Sequence, residues 1–219
     1  MKELIFTLFL LSSLNNYSQT QFGYVISVNS SKIESDDLLN VKPGTGFGIG
    51  INTLSSIHNS ADFIAEATFT RKNISINGYQ DFNSNEVEYD SAIKYNIDNI
   101  NVSFLYNQYI IIPNLNKFNF AIQGGLGISF STGEWRSKEG EADKSFEPEP
   151  ISTFLSTGIS GGIEQFRVTL SYNKALGNYL NGVFEDDIPD ANNSYDSREF
   201  KGKHHYFSIS LIYYTDIFK

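Results

Sequence analysis

The segment Phe166-Arg-Val-Thr-Leu-Ser-Tyr-Asn173 decides the fold. Phe166, Val168, Leu170 and Tyr172 occupy one phase of a two-residue period; Arg167, Thr169, Ser171 and Asn173 occupy the other. This is the pattern of a β-strand with two unlike faces. The composition of the polar face carries the argument. A soluble barrel or sandwich turns its polar face to water and fills many positions with Lys and Glu. Here that face is small and mostly neutral, as suits the crowded lumen of a narrow barrel, and the apolar face holds no charge.

The same division recurs along the chain. Apolar phases run through Phe22, Tyr24, Ile26 and Val28; Phe47, Ile49 and Ile51; Phe63, Ala65, Ala67 and Phe69; and Ile100, Val102, Phe104 and Tyr106. They continue through Phe118, Phe120, Ile122, Leu126, Ile128 and Phe130; Ile151, Leu155 and Ile159; and finally Phe207, Ile209, Leu211 and Tyr213. The opposing positions read Gly, Ser, Asn and Thr, interrupted by Glu66 and Arg167. A Lys or Arg facing lipid at the bilayer midplane costs about 2–4 kcal/mol, so a charge-free apolar phase in every segment points to lipid contact. The predicted fold is all-β: an antiparallel transmembrane barrel of about eight strands.

The spacing between strands orients the barrel. Segments near 29–43, 73–94, 131–150 and 174–203 are long, whereas 53–61, 107–117 and 164–167 are short. Long external loops alternating with short periplasmic turns are the expectation for an outer-membrane barrel with both termini inside. Aromatic residues near strand ends (Trp135, Phe130, Tyr172, Tyr213 and Phe218) fit interfacial girdles.

At the N-terminus, Met1-Lys2 leads into Leu4-Ile-Phe-Thr-Leu-Phe-Leu-Leu11 and then a polar stretch ending at Ser18. A short positive start, a brief apolar core and a polar exit describe a secretory signal peptide. It is too short to span a bilayer, which takes about 20 apolar residues. Residues 1–18 are therefore assigned to the signal and 19–219 to the barrel. The 219-residue chain has no Cys, which excludes disulfides and thiolate chemistry, and a net charge of −9, which argues against a nucleic-acid partner.

The chain resembles the outer-membrane β-barrel proteins of Bacteroidota, the group that includes PorT-like barrels. The resemblance rests on Tyr17-Ser-Gln19, the Gly-rich Gly44-Thr-Gly-Phe-Gly-Ile-Gly-Ile51, Tyr95-Asn-Ile-Asp-Asn-Ile-Asn-Val102 and Ala121-Ile-Gln-Gly-Gly-Leu-Gly-Ile128. Ser103 stands where such families often have a Pro. The resemblance implies an outer-membrane barrel, in some members tied to secretion machinery, and transfers no functional residue.

Candidate chemistry is sparse. Glu66, Glu164 and Arg167 are the candidate lumen charges, with Glu164 expected to pair with Arg167 across a short turn. His204 and His205 open the last strand near Ser208, a rim position from which a lipid-modifying enzyme could work. The acidic groups Glu134, Glu139, Glu141, Asp143, Glu147 and Glu149, and Glu185, Asp186, Asp187, Asp190 and Asp196, read as solvated loops without metal-ligand spacing. Asp90-Ser-Ala92 matches a short O-glycosylation signal. No catalytic set, metal site or cofactor is expected. The expected neighbours are outer-membrane lipids and lipopolysaccharide, with an envelope protein as a further partner. The leading function is a non-enzymatic structural, surface-interaction or envelope-assembly role. A soluble lipocalin-like ligand-binding barrel and a lipid-modifying enzyme using His204 or His205 stay open as alternatives.

Overall fold

A computed structural model describes residues 20–35, 38–58, 60–110 except 80–86, 118–131, 145–185 and 197–215. It contains ten strands: β1 (Thr20–Glu34), β2 (Leu38–His58), β3 (Ala61–Tyr79), β4 (Val87–Ile110), β5 (Phe118–Ser131), β6 (Ser145–Pro148), β7 (Ile151–Ile163), β8 (Phe166–Ala175), β9 (Leu180–Glu185) and β10 (Ser197–Thr215). Eight of them form one closed antiparallel barrel in the order β1-β2-β3-β4-β5-β7-β8-β10, and a β1–β10 ladder from Phe22↔Thr215 to Glu34↔Lys203 completes the ring. Closure matters because it removes every free edge from the eight-stranded ring, the condition for crossing a bilayer with strands. The short β9 pairs with the first part of β10, and β6 pairs with β9.

The two phases of each strand separate as their chemistry requires. Ile26, Val28, Ile209 and Phe207 point outward with more than half of their surface exposed, whereas Asn52, Asn99 and Asn107 are at most 1% exposed inside. Thus the polar phase is the core and the apolar phase is the exterior, the reverse of a soluble barrel. The soluble lipocalin-like alternative required the Gly, Ser and Asn faces to look outward; they look inward. Inside, Phe154 lies over Gly127, where an added Cβ would meet the ring at 2.2 Å. The missing side chain on β5 makes room for the large one on β7.

Several strands run farther than the alternation of apolar residues suggested. A bilayer takes about 9–11 residues of tilted strand, yet β2, β3, β4 and β10 have 21, 19, 24 and 19 residues. Much of the chain expected as external loop near 29–43 and 73–94 is strand that continues past the apolar band, held by ladders such as Val41↔Ile76 and Ile74↔Tyr95. Backbone pairing persists there because neighbouring strands extend together, even though the outward positions have turned polar. At the opposite end, most of the turn expected at 53–61 is strand, with β2 reaching His58 and β3 starting at Ala61, and the turn expected at 164–167 shrinks to Glu164–Gln165. Residues 1–19, which include the signal assignment, lie outside the described residues, as do 132–144, 186–196, Trp135 and Phe218. Asp90–Ala92 falls within β4.

Candidate functional site

Among the described residues, two closures of packed side chains cross the interior, one toward each end; inward-facing strand residues build both, and Tyr179 from the β8–β9 link joins the second. Toward the turn end, Val25, Leu54, Ile64, Leu105, Ile212 and Tyr214 pack into an apolar layer. These are positions where the otherwise polar phases of β1, β2, β3, β4 and β10 switch to large apolar side chains. At the same end, Arg167 Nη2 donates to the Tyr109 hydroxyl at 2.5 Å, and that hydroxyl donates to Asp62 Oδ2. Ser56 Oγ also donates to Asp62, at 3.0 Å. The guanidinium lies 5.5 and 5.6 Å from the ring centroids of Tyr109 and Tyr214, so it is held by aromatic faces as well as by a charge-assisted hydrogen bond.

At the loop end, Lys72 is 1% exposed and points its ammonium at the Tyr206 ring, 4.0 Å from the centroid. His204 stacks between two rings, with centroids 4.6 Å from Tyr179 and 5.3 Å from Tyr206. Tyr179 belongs to the link between β8 and β9, and it is buried in the barrel mouth at 1% exposure. Its hydroxyl donates to Asn99 Oδ1 at 2.6 Å, and its backbone is fixed by Tyr179 N–H to Gly202 O and Glu149 N–H to Tyr179 O, both 2.8 Å. Ser129 and Ser131 donate to the same Asn99 oxygen.

Between the closures lies a chamber lined by Asn52, Glu66, Asn101, Gln123, Phe154 and Ser208, with about 40 Å³ open to water. That admits a few waters and is far below the several hundred Å³ that a drug-sized ligand fills.

Of the candidate residues, Glu66 faces this chamber opposite Asn52 in the β2–β3 ladder. Arg167 faces the interior too, but its partner is Tyr109 rather than Glu164. Glu164 lies exposed in the β7–β8 turn, where φ is 56° and its side chain leaves the strand phase. A two-residue turn orients its own residues outward, so cross-strand proximity did not become a contact. His204 and His205 fall on opposite faces: His204 is buried in the mouth, and His205 faces outward beside Tyr172. Adjacent strand residues cannot converge on one reacting atom, and among the described residues Ser208 pairs with Ser210 rather than with either histidine. No cluster of three or more metal-ligating side chains occurs among the described residues.

Lys72, Asp62, Tyr109, Tyr179 and Tyr206 were not singled out from sequence. Lys72 and Tyr206 continue the inward phases Glu66, Thr68, Thr70 and Ser208, Ser210, so extending the period would have found them. Tyr179 carries no such signal.

No family model matches the chain, and no curated protein matches it in sequence. Its fold is similar to that of the outer membrane protein OprG of Pseudomonas aeruginosa, with TM-score 0.51 and 10% identity over 88% of this chain and 95% of that one. It is also similar to a major outer membrane protein of Thermus thermophilus, with TM-score 0.52 and 9% identity over 90% and 99% of the two chains. Ail, the attachment invasion locus protein of Yersinia pestis, matches at TM-score 0.46 and 13% identity over 90% and 99%. These likenesses concern the fold.

Proposed function

We propose that the chain is a non-enzymatic β-barrel of a Gram-negative outer membrane, exported by residues 1–18, which serves a structural, surface-interaction or envelope-assembly role. The observation that carries this reading is the inverted polarity: a closed eight-stranded ring with apolar side chains outside and Asn, Ser and Thr inside. A lipid surround stabilises such an exterior. The interior closures favour a role at the surface over conduction. The strand extensions beyond the apolar band, with β9 and β6 added to β10, give a paired-strand platform on which a partner in the envelope could dock. Kinship with the Bacteroidota PorT-like barrels is supported by Gly44–Ile51 and Ala121–Ile128 as a sequence likeness. The test is membrane fractionation combined with gel mobility before and after boiling. Recovery in the detergent-soluble outer-membrane fraction with heat-modifiable migration is expected. Recovery as a soluble periplasmic protein overturns the reading.

A further inference from the structure

The apolar band ends differently on two sides of the barrel. On the β3–β4 side, the row beyond Phe69 and Ile100 is Arg71 and Asp98, closed on itself by hydrogen bonds of 2.7 and 2.6 Å. On the β1–β10–β8 side, the last aromatic row is Phe207 and Tyr172, whose ring centroids are 4.8 Å apart. The next outward row is Lys32↔His205↔Lys174, one residue from each of three neighbouring strands. The row after it pairs Lys203 with Glu34, and Lys201 follows on β10. The four lysines are exposed, and Glu34 is the only carboxylate in these rows. None of the four lysines forms an ion pair among the described residues. Lys32, Lys174 and Glu34 all act electrostatically on His205, so the groups share one local field. In a chain of net charge −9, four lysines gather here around one carboxylate, Glu34, among the described residues.

We propose that this patch, Lys32, Lys174, Lys203 and His205 at the outer margin of β1, β8 and β10, binds the phosphomonoester headgroup of a glycolipid in the external leaflet. The proposal rests on the outer-membrane reading above and deepens it by naming the partner and its site. The aromatic row marks the interface level, so the basic rows stand at headgroup depth. Adjacent strands are about 4.8 Å apart, so Lys32 and Lys174 flank His205 from roughly 10 Å apart, close enough for both flexible side chains to reach one phosphate while the imidazole N–H donates a hydrogen bond. A phosphomonoester carries about −1.5 to −2 charges at neutral pH, against one for a phospholipid diester, and rewards several cations more strongly. Basic clusters at a membrane margin recognise phosphorylated headgroups by this means.

The experiment reconstitutes the full chain into phosphatidylcholine vesicles containing bisphosphorylated lipid A, lipid A stripped of its phosphates, or phosphatidylglycerol. Lipid retained through purification is then quantified. Wild type is expected to retain bisphosphorylated lipid A over the other two, and the triple variant Lys32→Ser, Lys174→Ser, Lys203→Ser to lose roughly tenfold or more of that retention. Arg71→Ser with Asp98→Ser serves as the control at the same margin and should retain lipid A as wild type does. Heat-modifiable mobility checks folding of each variant. Equal retention by wild type and the triple variant, or equal retention of dephosphorylated lipid A or phosphatidylglycerol, overturns the site. Insertion into vesicles without lipid selectivity leaves the barrel reading standing, whereas failure of wild type to insert removes both.

Discussion

Arg167 is held by Tyr109, whose hydroxyl accepts a hydrogen bond from Nη2 at 2.5 Å and donates its own proton to Asp62. The phenol therefore bridges a cation and an anion that do not touch. Arg167 is 8% and Asp62 2% exposed, so neither can fall back on bulk water.

Tyr109→Phe keeps the ring and removes the bridge. Breaking one link of a buried charged network costs about 2–3 kcal/mol, because the partners keep their desolvation penalty. Urea unfolding in detergent micelles should show a loss of that size. Glu164→Ala, at the position expected to pair with Arg167, should change stability by less than about 0.5 kcal/mol.

Lys72 presents the opposite balance. Its ammonium gains a cation–π contact with Tyr206, worth about 2 kcal/mol when desolvated. Burial of the charge costs several kcal/mol, and no carboxylate among the described residues pairs with it. Lys72→Met, which keeps the stem, should therefore leave stability unchanged or raise it by about 1–2 kcal/mol. Tyr179→Ala removes the stacked ring and the bond to Asn99 and should lower stability by about 3 kcal/mol. Planar-bilayer recordings should show no conductance for wild type or for Tyr179→Ala, because the Val25–Tyr214 layer and the Arg167–Tyr109–Asp62 network still occupy the other end.

Exterior substitutions should depend on depth. Ile209→Lys sits within the band, between Val28 and Leu170 in the ladders, and should cost about 2–4 kcal/mol. Ser208→Lys would place the charge in the narrow interior chamber, which is too small for the added side chain, and should block folding. Lys174→Ser, beyond the band, should have no measurable effect on stability. Refolding yields into lipid vesicles give the ranking.

The β7–β8 turn contains one local strain. Glu164 has φ of 56°, which costs an L-residue about 1–2 kcal/mol relative to the right-handed region. Gly is favoured at the first residue of such two-residue turns. Its greater unfolded-state entropy offsets about 0.5–1 kcal/mol, so Glu164→Gly should raise stability by about 0.5 kcal/mol. A higher urea midpoint with an unchanged slope would show it.

The barrel was legible because a period of two reports two environments independently. Ile100 and Phe104 could be assigned outward, and Asn101 and Ser103 inward, without knowing any contact. The lengths of the strands were less legible. Beyond Thr70 and before Asn99 the outward positions become polar, so the pattern fades while pairing continues. Contacts across the lumen were not legible at all. Tyr109 reaches Arg167 over 58 positions of chain and Tyr179 reaches Asn99 over 80, and both depend on barrel closure rather than on local periodicity. The Glu164–Arg167 pairing failed for a related reason: nearness in sequence does not fix the direction of a turn side chain.

An apolar phase that faces lipid is open to direct test in the bilayer. The chain lacks Cys, so single-Cys spin labels report one position each. Labels at Val28, Ile209 and Leu170 in lipid vesicles are predicted to be relaxed by oxygen and shielded from a water-soluble nickel reagent, and labels at Ser27 and Thr169 to lose the oxygen effect. Strong relaxation of Val28, Ile209 and Leu170 by the nickel reagent would contradict the account.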